Sequence, residues 1–576
     1  MVAAPRSLRS ALALCRRHFV AAAGFSALVN ILYIVPTLYM LQVYDRVVPT
    51  RGLQTLFFLT IVVLVAIAVL ALLDRVRTRL LTRAGVLIDA ALAPVLLDAT
   101  LGRPELPVSR QALREFDSMR ATLTGPAIIA LFDAPWTPIY VLVCALVHPW
   151  IGLVALIGVL ILPVLAWRNE AQNREGFERA TVAANTSYAN QETLLSTADS
   201  VRALGMRRAM VARQLRQRES MLSLQTDATF TAGYYMTATK FVRLALQSLA
   251  LGLGAWLAVD NKISGGAIFA ASFLIARALS PIEQLIGSWK PIMQARASFK
   301  NLETLLDSRR DDADRTLLPT PAGALSVEGV TMLNDTRDNA VVNAASFRVA
   351  AGDVVAIIGP SGAGKSTLVR VIAGAALPDR GTVRIDGAEM RDWDAERLAR
   401  HIGYLPQDSV LFAGTINENI SRFSGELGSD QAAIDADVVA AAEAVGAHEL
   451  ILGLANGYDH ELKLGGRGVS AGQAQRIALA RAIYGSPALV ILDEPNAHLD
   501  ADGDTALVAA IDALKKRGTT VLIVSHKLSI LPVVDKVLVM RGGKIELYGP
   551  RDEVLPKIMP QNVRRVAPLT TAKGPA

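Results

Sequence analysis

Cysteine is almost absent from this chain. Its 576 residues hold two, Cys15 and Cys144, which form neither a CxxC pair nor a cluster with metal-ligand spacing. They read as free thiols, so neither a disulfide framework nor a cysteine-bound metal is expected. Charge is thinly spread as well. Charged residues make up 19% of the chain, and the stretch "LQTLFFLTIVVLVAIAVLALL" at 53–73 has none. Glycine and proline are few in the long segments that separate the apolar runs, which argues against flexible loops there. Hydrophobic residues reach 52%, and the mean hydropathy is +0.35. Both values lean toward a protein with a membrane part.

A bilayer core takes about 20 apolar residues of helix, so the run at 53–73 crosses it unaided. Similar runs cover about 19–43, 126–147, 150–167, 241–259 and 264–287, giving six spans. Very short links join 126–147 to 150–167 and 241–259 to 264–287, so each pair reads as a helical hairpin. The formal net charge of +7 could mark a nucleic-acid binder, but the placement of the charges says otherwise. Arg6, Arg9, Arg16 and Arg17 precede the first span. A long arginine series from Arg75 to Arg120 follows the second, and another from Arg168 to Lys240 follows the fourth. The opposite loops hold only Arg46 and Arg51, then none, then Lys262. This one-sided pattern puts both termini and both long loops in the cytoplasm. The first run is too long for a secretory signal and lacks its cleavage site, so it reads as an uncleaved span.

Both long loops keep apolar residues at helical spacing. They are expected to continue the spans below the membrane and to turn back near 107–116 and 196–206. Three charges fall inside spans: Asp133, Arg277 and Glu283. A charge at the bilayer centre costs about 2.5–3.5 kcal/mol on insertion scales. Such residues line a polar pathway, form a structural ion pair or snorkel to an interface, and all three readings stay open here. Pro36, Pro135, Pro138 and Pro281 are expected to kink their helices.

The pattern changes after a charged, proline-containing stretch at 308–322. Short β-rich runs then alternate with helices, an α/β signature. "AGDVVAIIGPSGAGKSTLVRVIAG" is a strand, a glycine loop and a helix, and it fits G-x-x-x-x-G-K-[ST] in the context that motif requires. Gly359, Pro360, Ser361, Gly362, Ala363, Gly364, Lys365, Ser366 and Thr367 form the loop. Its glycines let backbone N–H groups close round phosphate oxygens at a helix N-terminus. Lys365 would reach the β- and γ-phosphates, and Ser366 would ligate magnesium. "ALVILDEP" is a buried strand ending in two acids. Asp493 would hold magnesium, and Glu494 would act as general base on the attacking water. "VLIVSHK" ends at His526, placed to meet the γ-phosphate, whereas a lone histidine is more often structural. Gln407 in "IGYLPQD" also follows an apolar run.

One motif remains unexplained by a single nucleotide site. "GVSAGQAQR", about a hundred residues after the phosphate loop, looks like a second one. The order GPSGAGKST, YLPQD, VSAGQ, ILDEP, AHLD, VSH resembles the ATP-binding-cassette ATPases in all six landmarks. The resemblance implies that Ser470, Ala471, Gly472 and Gln473 are the signature, acting on ATP held by another subunit. It implies two composite sites in a homodimer, with Asp500 in the loop that couples them and Gln407 contacting magnesium and the membrane helices. Val469 and Ala471 depart from the usual LSGGQ, Ala474 replaces a common Arg, and no aromatic near "VTMLNDTRD" can stack on adenine. Met332 or Leu333 would supply apolar contact there instead. The expected architecture is a six-span α-helical membrane domain of the exporter type fused to an α/β phosphate-loop domain. The expected boundaries are an N-terminal segment at 1–17, a membrane domain at 18–307, a linker at 308–322, an ATPase domain at 323–558 and a tail at 559–576.

Longer stretches narrow the resemblance. "IVPTLYMLQVYDRVVPTRGLQTL", "ALFDAPWTPIYV", "SFLIARALSPIEQLIGSWK" and "HIGYLPQDSVLFAGTINENI" are similar to the type I secretion exporters of the protease and RTX-protein kind. That implies an inner-membrane homodimer of a Gram-negative cell, using ATP and Mg²⁺. Its partners would be a periplasmic adaptor, an outer-membrane channel and an unfolded protein cargo with a C-terminal signal. About 17 residues precede the first span, so no N-terminal peptidase domain is expected. Export of a lipid, peptide or small molecule is the alternative, and an ATP-gated channel or scaffold is a third reading.

Overall fold

The computed structural model describes residues 7–103, 106, 108–307, 318–334 and 336–558. The start of the N-terminal segment (1–6), Pro107 in the first expected turn, most of the expected linker (308–317) and the tail (559–576) lie outside them. The chain divides into two compact units, Met1–Ala313 and Asp314–Ala576.

The first unit is entirely helical among the described residues. Six helices are long and apolar enough to span a membrane: Arg16–Thr50, Leu53–Gly102, Ala112–Val147, Pro149–Ser196, Arg207–Val259 and Gly265–Gly287. At 1.5 Å per residue the second is about 75 Å long, more than twice the ~30 Å of a bilayer core. The fourth and fifth, with 48 and 53 residues, reach as far beyond the membrane. A 3-10 turn at Ser109–Gln111 reverses the chain after the second span, and a short helix at Ala198–Ala203 does so after the fourth. The apolar window of the second span is only 6% buried within the chain, as a lipid-facing helix requires. The sixth span is the most enclosed, at 56%.

Three of the four expected prolines sit where helices restart. Pro36 opens Val35–Gln42, Pro135 lies in the 3-10 turn Ala134–Trp136, and Pro138 opens Thr137–Val147. Each occupies a first-turn position, where the missing N–H leaves no helical bond unmade. Pro281 differs, because Gly265–Gly287 runs through it unbroken. Span one also contains a π-turn at Val43–Val47, which the sequence reading missed. Tyr140, Leu162, Leu246, Leu257, Ile275 and Leu279 form the core of the span bundle. At Gly158 a Cβ would come within 2.8 Å of Leu246 and 2.9 Å of Leu279, so glycine is what lets these helices approach.

The second unit is built on a six-stranded sheet. Its order is Lys544–Pro550, Lys536–Arg541, Val354–Ile358, Thr520–Val524, Leu489–Asp493 and Ile402–Leu405. All neighbours are parallel except the first pair. The central strands are almost wholly apolar because both faces are covered, one by helices and the other by the helix Lys365–Ile372 and an antiparallel sheet. A four-stranded antiparallel sheet packs beside it, in the order Ala340–Val349, Leu325–Leu333, Arg380–Ile385, Ala388–Glu389. Parallel pairing brings the C-terminal ends of four strands to one edge. Ile358, Val524, Asp493 and Leu405 are those ends, and the candidate residues follow them.

Candidate functional site

The phosphate loop starts as the strand Val354–Ile358 ends. Gly359 has φ 154° and Gly364 φ 89°. A Cβ at Gly359 would lie 2.2 Å from Met540 O, and one at Gly364 would lie 2.4 Å from Val341 O. Any side chain would therefore displace backbone, and the loop holds its curve only with glycine at both positions. Pro360, Ser361, Gly362 and Ala363 complete the arc, and Ser366 and Thr367 lie in the first turn of the helix Lys365–Ile372. The arc opens toward the N-terminus of that helix, which favours an anion.

Lys365 is 5% exposed. Its Nζ donates to Gly359 O at 2.9 Å and Pro360 O at 3.0 Å, so the ammonium sits inside the loop. Burial pushes it below its ordinary value, while the Glu494 and Asp493 carboxylates pull it back. Ser366 Oγ donates to Asp493 Oδ1 at 3.2 Å. Asp493 is 2% exposed. Burial raises its carboxyl above the usual range, and the Ser366 hydroxyl partly offsets that. A hydroxyl and a buried carboxylate at hydrogen-bond distance beside a phosphate cradle form an oxygen donor set that suits Mg²⁺.

Glu494 has φ 51°, a left-handed conformation that a side-chain-bearing residue adopts only when its surroundings impose it. Its N–H donates to Val524 O at 3.0 Å. Gln475 Nε2 donates to the carbonyls of Glu494 (3.2 Å) and Pro495 (2.6 Å), and Gln475 Oε1 accepts from His498 N at 2.9 Å. Gln475 is itself 1% exposed. The carboxylate of Glu494 meets His526 Nε2 at 3.4 Å and Gln407 Nε2 at 3.5 Å. The structure therefore gathers Lys365, Ser366, Gln407, Asp493, Glu494 and His526 at one sheet edge.

The signature stands apart from this group. Ser470 caps the helix Ala471–Ile483 in a reciprocal box: its Oγ accepts from Gln473 N at 3.3 Å, and Gln473 Oε1 accepts from Ser470 N at 2.8 Å. Ala471 is exposed, while a Cβ on Gly472 would reach 3.0 Å from His498 O. Among the described residues, no hydrogen bond joins residues 470–473 to the phosphate loop. Asp500 caps the helix Ala501–Lys516. Its Oδ1 accepts from Gly503 N at 2.8 Å and from Arg476 at 2.6 Å. The Gly503 N–H first, and Arg476 beside it, hold this carboxyl below its ordinary value. Gln475 and Arg476 were missed in the sequence. Their only signal was their place in the helix that follows the signature.

A parallel sheet that ends in a phosphate cradle, a buried metal-type carboxylate and a second carboxylate held by histidine and glutamine defines a nucleotide-hydrolysing domain. It is joined in one chain to a six-span domain. Two family models match the chain: ABC transporter over residues 342–497 and ABC transporter transmembrane region over residues 116–280. The type I secretion system ATP-binding protein PrsD of Rhizobium meliloti is 40% identical over 557 residues, covering 96% of this chain and 94% of that one. The alpha-hemolysin translocation ATP-binding protein HlyB of Escherichia coli O157:H7 is 27% identical, over 94% of this chain and 77% of the relative. The cyclolysin secretion/processing ATP-binding protein CyaB of Bordetella pertussis is 29% identical, over 92% and 75%. A bacterial Atm1-family ABC exporter solved with ATP bound has the same fold, with a TM-score of 0.82 and 22% identity over 95% of this chain and 97% of that chain. The chain belongs to the ABC transporter family, among the type I secretion ATP-binding proteins. It is a multi-pass membrane protein that binds and hydrolyses ATP.

Proposed function

We propose that the chain is the inner-membrane exporter of a type I secretion system and works as a homodimer. Its cargo is an unfolded protein with a C-terminal signal, passed on to a periplasmic adaptor and an outer-membrane channel. The ATPase domain and both termini face the cytoplasm, as the arginine asymmetry requires. The domain boundaries are those read from the sequence: 18–307 for the membrane part and 323–558 for the ATPase.

The observation that carries the mechanism is the separation of the two phosphate-binding elements. The phosphate loop, Asp493, Glu494 and His526 are gathered together, while among the described residues the Ser470 turn, residues 470–473, makes no hydrogen bond to them. A second chain would bring its own Ser470, Ala471, Gly472 and Gln473 to complete each site. Gly359, Pro360, Ser361, Gly362, Ala363 and Gly364 wrap the phosphates with Thr367 at the helix start, and Lys365 exchanges its loop carbonyls for phosphate oxygens. Ser366, Asp493 and Gln407 would hold Mg²⁺, which neutralises charge on the phosphates when bound. Glu494 takes the proton of the attacking water, and His526 fixes that carboxylate and faces the γ-phosphate. Asp500, tied to the signature helix through Arg476, couples the two sites. ATP favours the closed pair of domains by its higher affinity for that state, and hydrolysis releases it.

The direct test is secretion from a strain that carries this chain, its adaptor and a candidate cargo. Cargo in the medium that is lost on removing the cargo's last segment supports the reading. Secretion that persists without that segment would sink the C-terminal-signal part of it.

Asp493 adds a pH dependence. Its folded-state value is raised, so the ionised form costs stability above that value, and the cost disappears as pH falls below the unfolded value of about 3.9. The metal-binding form behaves oppositely and is lost as pH falls through the raised value. The Mg²⁺-dependent part of nucleotide affinity should therefore begin to fade above the usual aspartate range, and Asp493→Asn should abolish that part at every pH. Affinity for Mg²⁺–nucleotide that stays constant down to about pH 4 would refute this.

A further inference from the structure

The sixth span carries a polar face that the rest of the chain leaves open. Phe273, Arg277, Ser280 and Gln284 recur at helical spacing on Gly265–Gly287. Phe273 is 52% exposed. Gln284 is also exposed, and Arg277 and Ser280 are half-buried. Gln284 Nε2 donates to Ser280 Oγ at 3.2 Å. Gly287, next on the same face, lines a cavity of about 1080 Å³ together with Met236, Trp289, Lys290 and Asn173.

Arg277 is the charge on this face. It lies twelve residues from Gly265, about 18 Å along the helix and near the middle of a bilayer core. Its guanidinium stacks 3.2 Å above the Tyr33 ring of span one. Its Nε is buried without a hydrogen-bond partner. Among the described residues no carboxylate pairs with it. Glu283, the nearest acid in sequence on the helix, pairs instead with Arg243 at 2.8 Å. From mid-membrane an arginine side chain cannot reach either interface, and exposure to lipid is costly. A partly exposed cation there, stacked on Tyr33 and in reach of the Tyr140 hydroxyl, has no carboxylate to neutralise it among the described residues, and the stripe that carries it runs into the cavity.

We infer that Arg277 is a cation barrier in the translocation pathway, which stops small cations from leaking along a route wide enough for cargo. The inference rests on the exporter reading. A fixed positive charge near the middle of a low-dielectric passage repels H⁺ and K⁺ and tolerates neutral or acidic segments. Stacking on Tyr33 holds the guanidinium in place without cancelling its charge.

The test uses the full-length chain in potassium-loaded lipid vesicles, with K⁺ efflux and ATPase read in the same preparation, with and without ATP. Arg277→Gln should raise efflux about tenfold over the parent, and Arg277→Lys should stay near the parent. Ser280→Glu, which leaves Arg277 and its packing intact, should also raise efflux. Efflux from Arg277→Gln no faster than from the parent, or equally fast from Arg277→Lys, would overturn the barrier. Absence of ATPase activity in the parent would count against the exporter reading alone. The efflux ratio, read also without nucleotide, still decides the role of Arg277.

Discussion

Glu494→Gln should abolish ATP hydrolysis and leave nucleotide binding in place. The glutamine keeps the size of the side chain and can still accept from Gln407, but it cannot take a proton from water. General-base catalysis contributes about 10²–10⁴-fold, so phosphate release should fall by that factor. The fall is confined to chemistry because, among the described residues, Glu494 makes no hydrogen bond to the phosphate loop beside it. Gly359 and Gly364 shape the loop, and Lys365 sits in it through bonds to Gly359 O and Pro360 O that the substitution does not touch. The backbone at residue 494 stays at its positive φ, since the Val524 carbonyl and Gln475 hold it through main-chain atoms. The measurement is phosphate release beside nucleotide binding for the purified chain, with Lys365→Ala as the variant expected to lose both. Release within about threefold of the parent would remove Glu494 from the role of base.

How far the sequence could be read depended on the range of the interaction. The phosphate loop was legible because its requirement is local: glycines between a buried strand and a helix. Asp493, Glu494 and His526 were legible because each follows a continuous apolar run, and parallel strands bring the ends of such runs to one edge. The spans followed from length and lack of charge. The intramembrane partners were hidden, because Asn30 meets Asp133 across 103 residues and Arg77 meets it across 56. Arg277 and Glu283 lie six residues apart, about 240° round a helix, so they face different neighbours. Gln475 was hidden for the same reason. Its value lies in two carbonyls and an N–H that only the folded loop at 494–498 supplies.

Asp133→Ala should destabilise the membrane unit by about 3–5 kcal/mol, whereas Arg77→Met combined with Asp133→Leu should recover most of that loss. Arg77 is 5% exposed and Asp133 6%. They pair at 3.0 Å. Asn30 Nδ2 donates to the same carboxylate at 2.7 Å, and the Tyr140 hydroxyl donates to Asn30 O at 2.7 Å. Arg77 also donates to Ser26 Oγ at 2.9 Å. Spans one, two and three are thus joined through one carboxylate. This is a structural ion pair, not a pathway lining, because both partners are closed off from water and from lipid. Removing Asp133 alone strands the Arg77 charge, of which only the half-exposed Asp74 would remain an acidic partner, and leaves Asn30 Nδ2 with only the Ser26 carbonyl at 2.9 Å. Removing both charges leaves apolar side chains of similar volume and no buried orphan ion, since Asp74, which also loses Arg77, is 46% exposed. Unfolding of the detergent-solubilised protein by SDS, run as a double-mutant cycle, isolates the coupling. A single-variant loss under about 0.5 kcal/mol would mean that the pair adds nothing beyond packing. A double variant as unstable as Asp133→Ala would mean that geometry, rather than the stranded charge, sets the cost.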